Sequence, residues 1–317
     1  MTTPANAAQF PRESDARGAF VRQQSRFRDW VRADGSTAFP AEAGRYHLYV
    51  SLACPWASRT VIVRKLKRLE EVVGLTVVDP IRDERGWRFL PDVPDPVNGF
   101  TYLSEAYRAS DPDFDARVTV PVLWDKVGGR IVNNESAEIV RMLNAEFDAW
   151  GDASVDLYPE PLRAEVDALN ERIYETVNNG VYRAGFATTQ EAYEEAFDAL
   201  FASLDWLEER LAQRRFLLGS TITEADWRLF VTLVRFDAVY VGHFKCNLRR
   251  IDDYPNLSGY LRDLYQQPGI AETVDFDHIK RHYYMTHPQL NPTGIVPKGP
   301  LLDLASPHGR ELLAGVA

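Results

Sequence analysis

Tyr46-His47-Leu48-Tyr49-Val50-Ser51-Leu52-Ala53-Cys54-Pro55-Trp56-Ala57 decides how this chain is read. Tyr46 to Leu52 predicts a strand. Val61, Ile62, Leu66 and Leu69 then recur at helical spacing, so Ser58 to Leu69 predicts a helix. Cys54 therefore sits at a strand-to-helix junction. The unpaired N–H groups and positive dipole end of a helix start favour a thiolate there. Pro55 suits the first helical turn, where its missing N–H costs nothing. Ala57 stands where a Cys-x-x-Cys motif would place its second thiol. A lone thiolate cannot close a local disulfide, so any thiol chemistry at Cys54 needs a thiol supplied from outside. The bland alternative is a buried structural cysteine, since a free thiol often packs as a small hydrophobe. Placement just before proline at a helix start favours chemistry for Cys54. Cys246, between Lys245 and Asn247, has no such placement and reads as a packing residue.

Working outward, Val72 to Val78 is apolar and β-branched, as a buried parallel strand should be. Strand, helix and strand in succession suggest a right-handed βαβ unit. Residues 80–117 carry Pro80, Pro91, Pro94, Pro96 and Pro112 with Gly86 and Gly99, and predict one long loop. Val118 to Trp124 predicts a strand with Pro121 inside it, which needs a special geometry. Gly128-Gly129 turns the chain into Arg130-Ile131-Val132, a hairpin. Asn134-Glu135-Ser136 precedes a helix bearing Ile139, Val140, Leu143 and Phe147.

From Pro159 onward no convincing strand appears. Leu162, Val166, Leu169, Ile173 and Val177 keep helical spacing, as do Phe197, Leu200, Leu204, Leu207 and Leu211. Thr223 and Asp226 fit a capping box ahead of Leu229, Phe230, Leu233 and Val234. Residues 278–317 are rich in Pro and Gly and read as an ordered tail or cover, and residues 1–44 read as a polar extension. The order βαβ, then ββα, then all helix predicts an α/β half of thioredoxin type followed by an all-α bundle. The expected division is an extension over 1–44, a thioredoxin-like domain over 45–150 and a helical domain over 151–317.

The chain has 317 residues, is 45% hydrophobic and carries a formal net charge of −10. That charge argues against nonspecific nucleic-acid binding, which needs basic surface. No apolar run approaches the length needed to span a bilayer, and Met1 to Gly18 lacks the apolar stretch of a signal peptide. Two cysteines suit a reducing compartment, so a cytoplasmic location is expected. His278, His282 and His287 have a spacing that could present metal ligands, but no acidic or thiol ligand accompanies them in order. No metal is expected.

Several longer motifs stand in a fixed order along the chain. They are Cys54-Pro55-Trp56-Ala57, Gly86-Trp87, Arg117-Val118-Thr119-Val120-Pro121, Asn134-Glu135-Ser136-Ala137-Glu138, Val177-Asn178-Asn179-Gly180-Val181-Tyr182 and His243-Phe244-Lys245-Cys246. His282-Tyr283-Tyr284 and Asn291-Pro292 continue the series. With them the chain resembles the glutathione transferases, and among these the glutathionyl-hydroquinone reductases, or xi class. The resemblance runs from about Tyr46 to Pro300.

The resemblance implies a mixed four-stranded sheet in the first domain, glutathione as co-substrate and a homodimer. It implies Cys54 as nucleophile. It implies Val120, before a cis Pro121, as the backbone partner of the cysteinyl part of glutathione. Glu135 would take the γ-glutamyl ammonium, and Ser136 with the helix start its carboxylate. Trp87 would border glutathione, and Tyr182, Tyr283 and less directly Tyr284 would face an aromatic substrate. Without the resemblance, Glu135-Ser136 reads equally as helix capping, and the tyrosines as core residues.

The activity implied is reduction of S-glutathionyl-hydroquinones by glutathione through a mixed disulfide on Cys54. Two other functions fit the same thiol: an omega-type deglutathionylase acting on mixed disulfides, and a non-catalytic thiol-binding stress protein.

Overall fold

The computed structural model describes residues 13–313. Residues 1–12 and 314–317, the outer ends of the two expected extensions, lie outside the described residues. The described chain forms two compact units. The first takes in Gln23–Asp156 and Asp277–Thr286, and the second Glu13–Arg22, Leu157–Phe276 and the chain from His287 onward.

The first unit is built on four strands: β1 (Tyr46–Val50), β2 (Gly74–Val77), β3 (Val122–Asp125) and β4 (Arg130–Asn133). They lie in the order β2-β1-β3-β4. β1 pairs parallel with β2 and antiparallel with β3, and β3 pairs antiparallel with β4, so the sheet is mixed. All five residues of β1 are buried, as its unbroken apolar and aromatic sequence requires. Helices α1 (Pro55–Leu66) and α3 (Ser136–Ala145) pack together, their apolar positions (Ile62, Val63; Ile139, Val140, Leu143) buried. A thioredoxin-like half followed by a helical half is thus the fold, as the element order predicts.

Several details differ from the sequence reading: α1 (Pro55–Leu66) lies three residues ahead of the expected Ser58–Leu69, and β2 (Gly74–Val77) is shorter than the expected Val72–Val78. The first strand ends at Val50 rather than Leu52, because the chain turns where the Cys54 N–H bonds Ser51 O at 3.1 Å, and α1 starts directly at Pro55. Pro121 is not inside a strand. The ladder of β3 begins at Val122, just past the residue that cannot donate to it. The stretch 80–117 is not all loop, since α2 (Leu103–Ser110) lies within it. The Glu105 carboxylate closes its start by accepting from the N–H groups of Thr101 and Tyr102 at 3.0 and 2.8 Å. Eight residues between turn-rich flanks are too few to show a period.

The second unit contains α4 (Arg163–Ile173), α5 (Gly180–Gly185), α6 (Gln190–Leu211), α7 (Glu224–Arg235), the single turn α8 (Val241–His243) and α9 (Pro255–Tyr265). Wider π-type turns, Tyr174–Asn178 and Phe236–Tyr240, lead into α5 and α8. Such turns are common at functional sites. Asn178 Nδ2 joins these regions, donating to Arg228 O and Thr232 Oγ1, both at 2.7 Å. α7 is buried on nearly every side and forms the core. The last helix, α10 (Phe276–Thr286), occupies the beginning of the stretch 278–317 that reads as a tail, so only the part beyond it is tail, and from Asp277 it belongs with the first unit.

The C-terminal tail is ordered on the bundle. The buried Arg310 guanidinium donates to the carbonyls of Leu211 at 2.8 Å and Asn256 at 3.3 Å, capping the end of α6. Gln266 Nε2 holds Leu304 O and Ser306 O at 2.9 and 2.8 Å.

Candidate active site

Cys54 occupies the N-cap position of α1 with extended backbone, and its side chain makes no capping hydrogen bond. It is half-buried. Its Sγ lies 3.6 Å from the carbonyl oxygen of Val120. The strand–turn–proline sequence thus places the thiol at the positive end of α1 and brings the 118–121 segment to it. The Val120–Pro121 bond is cis. Val120 itself is buried. Thr119, one residue back, is held by the Tyr107 hydroxyl, which donates to Thr119 O at 2.8 Å.

The long loop after β2 is a folded frame for Trp87. Asp79 N bonds Arg88 O, Phe89 N bonds Thr101 O and Leu103 N bonds Trp87 O, each at 2.9 Å. The buried Asp95 carboxylate gathers the N–H groups of Val97, Asn98 and Phe100 and the Tyr49 hydroxyl of β1. Trp87 is stacked on His282 at a centroid distance of 5.0 Å and an angle of 20°. The ring Nδ1–H of His282 donates to Pro80 O at 2.7 Å, tying α10 to the start of the same loop. The indole Nε1 of Trp87 is buried without a hydrogen-bond partner.

The start of α3 carries the two polar residues expected for an anion and a cation. Glu135 is its N-cap, and Glu135 Oε1 accepts from the Ala137 N–H at 3.2 Å. Ser136 is buried, yet its Oγ has no hydrogen-bond partner. A buried hydroxyl left unmatched is unusual in a native structure, and Ser136 shares that state with Ser51 Oγ and the indole Nε1 of Trp124 and Trp227. Ser136 sits at the positive end of α3, which favours a carboxylate. Glu135, Ser136 and the Val120 segment all belong to the first unit.

The tyrosines are divided between the units. Tyr283 on α10 is buried in the first unit, its ring edge-on to His282 at 5.3 Å. Its neighbour Tyr284 is half-buried, and burial raises its hydroxyl pKa. Tyr182 on α5 belongs to the second unit, half-buried among Phe244 at 5.4 Å, Phe186 at 6.1 Å and Tyr240 at 6.2 Å. The Arg22 guanidinium lies 4.8 Å from the Tyr182 ring centroid, and its Nε donates to Asn179 Oδ1 at 2.9 Å. Gly185 is required here, because a Cβ on it would stand 2.2 Å from the Phe244 ring.

Cys246 contrasts with Cys54. It is fully buried in the second unit, and burial pushes its thiol pKa far up. Two of the three histidines weighed as metal ligands have partners within the protein. His282 bonds Pro80, and His287 Nδ1 meets His243 Nε2 at 3.0 Å. Among the described residues no cluster of three or more His, Cys, Asp or Glu could hold a metal ion. Nor is any described helix long and apolar enough to cross a membrane. Sequence reasoning assigned no role to Arg22, Gln23, Ser25 or the His282–Trp87 stack. Arg22, Gln23 and Ser25 lie in a polar extension with no periodic or motif signal, and the sequence motifs at Trp87 and His282 do not say that the two rings meet.

Two family models match the chain. Residues 53–146 match the glutathione S-transferase N-terminal domain, and residues 190–263 the glutathione S-transferase C-terminal domain. The chain is 55% identical over 308 residues to glutathionyl-hydroquinone reductase YqjG of Escherichia coli, covering 94% of each chain. A glutathione-bound structure of YqjG superposes with a TM-score of 0.87 at 56% identity, over 90% of this chain and 96% of that one. Glutathionyl-hydroquinone reductase PcpF of Sphingobium chlorophenolicum is 56% identical over 290 residues, covering 90% of this chain and 91% of PcpF. The xi-class glutathione transferase of Natrialba magadii superposes with a TM-score of 0.91 at 54% identity, over 93% of this chain and 94% of that one.

A thioredoxin-like unit with a cysteine at the start of α1, followed by a helical unit, defines a glutathione transferase. Within that class the chain belongs to the xi-class family, the glutathionyl-hydroquinone reductases.

Proposed function

We propose that this protein reduces S-glutathionyl-hydroquinones to free hydroquinones, with glutathione as reductant and Cys54 as nucleophile. The observation that carries the mechanism is the lone half-buried thiol at the N-cap of α1, with Ala57 in place of a resolving cysteine. The kinship with YqjG and PcpF supports the substrate class.

The exchange has two steps. Cys54 thiolate attacks the sulfur of the glutathionyl group and forms a Cys54–glutathione disulfide. The carbon–sulfur bond breaks, and the ring carbon leaves with both electrons and takes up a proton, giving the hydroquinone. A second glutathione, as thiolate, then attacks the glutathione sulfur of that disulfide and releases glutathione disulfide and the Cys54 thiolate. One glutathione is consumed per turnover, and ping-pong kinetics follow.

Expelling an aromatic carbon from sulfur is the harder step. Tyr182 and Tyr283 donate hydrogen bonds to the ring oxygens and favour the keto tautomer, whose carbon leaves more readily. Each such bond to developing charge contributes on the order of 1–3 kcal/mol. Tyr284 adds to the aromatic subsite.

Glutathione is held at four points. The backbone at Val120, beside cis Pro121, meets its cysteinyl amide. Glu135 takes the ammonium. Ser136, whose Oγ is buried and unmatched, takes the γ-glutamyl carboxylate at the positive end of α3. Trp87 borders it, with an indole N–H available to donate. As part of the same proposal, domains 45–150 and 151–317 bind glutathione and the aromatic substrate respectively. The protein works as a cytoplasmic homodimer, and the chemistry draws on no metal.

The test compares turnover of a glutathionyl-hydroquinone with that of a simple glutathione mixed disulfide, in the parent and in Cys54→Ala. Preference for the first substrate, abolished by the substitution, is the expected result. Preference for the mixed disulfide would favour a deglutathionylase, and unchanged activity in Cys54→Ala would remove the mechanism.

A further inference from the structure

The inner part of the N-terminal extension is bound to both polar walls of the glutathione site. Gln23 grips the backbone of Arg117 in both directions: Nε2 donates to Arg117 O at 3.2 Å, and Oε1 accepts from Arg117 N at 3.0 Å. Arg117 begins the run that leads to Val120 and Pro121. Two residues on, Ser25 Oγ lies 3.0 Å from Glu135 Oε2 and 3.3 Å from Asn134 O. A hydroxyl has one proton to give, and the shorter contact, to a carboxylate, is the stronger.

The extension then locks on beside β4. Phe27 N donates to Asn134 Oδ1 and Asn134 N to Phe27 O, both at 3.1 Å. Arg28 forms a two-pronged ion pair with Glu138 in the first turn of α3. Its hydrogen bonds go to Glu138, while its charge is also felt by Glu135.

Glu135 thus has each oxygen oriented by one donor, Oε1 by the Ala137 N–H and Oε2 by Ser25. A carboxylate offers about four lone-pair sites, so roughly two remain to receive an ammonium group. Fixing the side chain beforehand removes the entropy that ligand binding would otherwise cost. We infer that Ser25 is a positioning residue of the glutathione site, orienting the Glu135 carboxylate for the γ-glutamyl ammonium. The extension is then a working part of the site rather than an appendage. The inference rests on the proposed role of Glu135.

The test is calorimetric titration of glutathione, and of an analogue lacking the α-amino group, into the full-length protein. The variants are Ser25→Ala, Ser25→Thr, Glu135→Gln and the Ser25→Ala/Glu135→Gln double. Ser25→Ala should weaken glutathione roughly three- to tenfold, the scale of one oriented hydrogen bond to a charged group. Ser25→Thr should restore affinity, since it keeps the hydroxyl. The analogue should bind parent and Ser25→Ala alike, and the Ser25→Ala loss should vanish in the Glu135→Gln background. Equal weakening of both ligands would assign Ser25 a merely structural role and overturn the inference. So would an unaffected Ser25→Ala beside a weakened Glu135→Gln, while leaving the Glu135 assignment intact. Unchanged glutathione affinity in Glu135→Gln would remove that assignment and the inference with it.

Discussion

The starts of α3 and α7 use the same vocabulary to opposite ends. Each joins an acidic residue and a hydroxyl residue at the first turn of a helix. At α7 the capping pair itself is closed within the protein. Asp226 accepts from Thr223 N at 2.8 Å, Thr223 Oγ1 at 3.1 Å, Leu217 N at 2.9 Å and the Tyr260 hydroxyl at 2.9 Å. Asp226 is fully buried, and burial pushes its pKa up against these hydrogen bonds. At α3 the Ser136 hydroxyl is buried and left unmatched, while Glu135 keeps acceptor capacity. A helix start whose donors and acceptors are all internal is a fastener for the fold. The start of α3, where the Ser136 hydroxyl is left open beside a partly free carboxylate, is where the proposed ligand binds.

Substitutions can break this contrast. Asp226→Ala should cost on the order of 3 kcal/mol, because four donors lose a buried acceptor at once. Chemical denaturation would show it, and a loss below about 1 kcal/mol would mean that α7 is not fastened as described.

Tyr283 in the first unit and Tyr182 in the second are the proposed hydrogen-bond donors to the aromatic substrate. Tyr283→Phe and Tyr182→Phe should each raise the barrier to hydroquinone release by about 2 kcal/mol, roughly a thirtyfold slowing. Single-turnover kinetics would measure it. Equal rates in parent and variants would confine both residues to packing.

Acid should strain both halves in the same way, because each buries a neutral imidazole. Burial lowers His47 in the first unit and His243 in the second to about 4, with Lys126, Arg64 and Lys245 adding to the shift and Asp95 opposing it at His47. The folded pKa lies below the unfolded value, so the unfolded chain takes up the proton first as pH falls. The stability these groups contribute is complete above about pH 6.5 and is lost progressively toward pH 4. Between pH 7 and pH 5 each should forfeit about 2 kcal/mol. Melting curves of His47→Gln and His243→Gln should fall less steeply with acidification than those of the parent. Parallel curves would show that the histidines are not the linked groups.

The mirror of the Asp226 test is the smallest effect on stability. Ser136→Ala should change folding stability by less than about 0.5 kcal/mol, since it removes a hydroxyl that bonds nothing. It should weaken glutathione by roughly tenfold. A large loss of stability without loss of affinity would erase the distinction between the two helix starts.

Much of this was legible in the sequence, for physical reasons that differ by region. Cys54-Pro55 announces a helix start because proline suits the first turn, and α1 begins there. The capping box at Thr223 and Asp226 is local chemistry over four residues, and it forms as read. The end of β1 and the start of β3 were misplaced by two to four residues, because turns compete with apolar runs at strand ends. α2 was hidden, since two helical turns between proline-rich flanks show no period. The roles of Gln23 and Ser25 were beyond reach: they depend on contacts with residues 94 and 110 positions away. Polar residues in an extension look alike until such partners are known.

The central claim is that Cys54 alone carries the glutathionyl group between the two half-reactions. Intact-protein mass spectrometry after mixing with a glutathionyl-hydroquinone in the absence of free glutathione tests it directly. One glutathione-sized adduct, mapped to Cys54 and released by added glutathione, is the predicted result. An adduct on Cys246, or hydroquinone release from a protein that never carries an adduct, would contradict it.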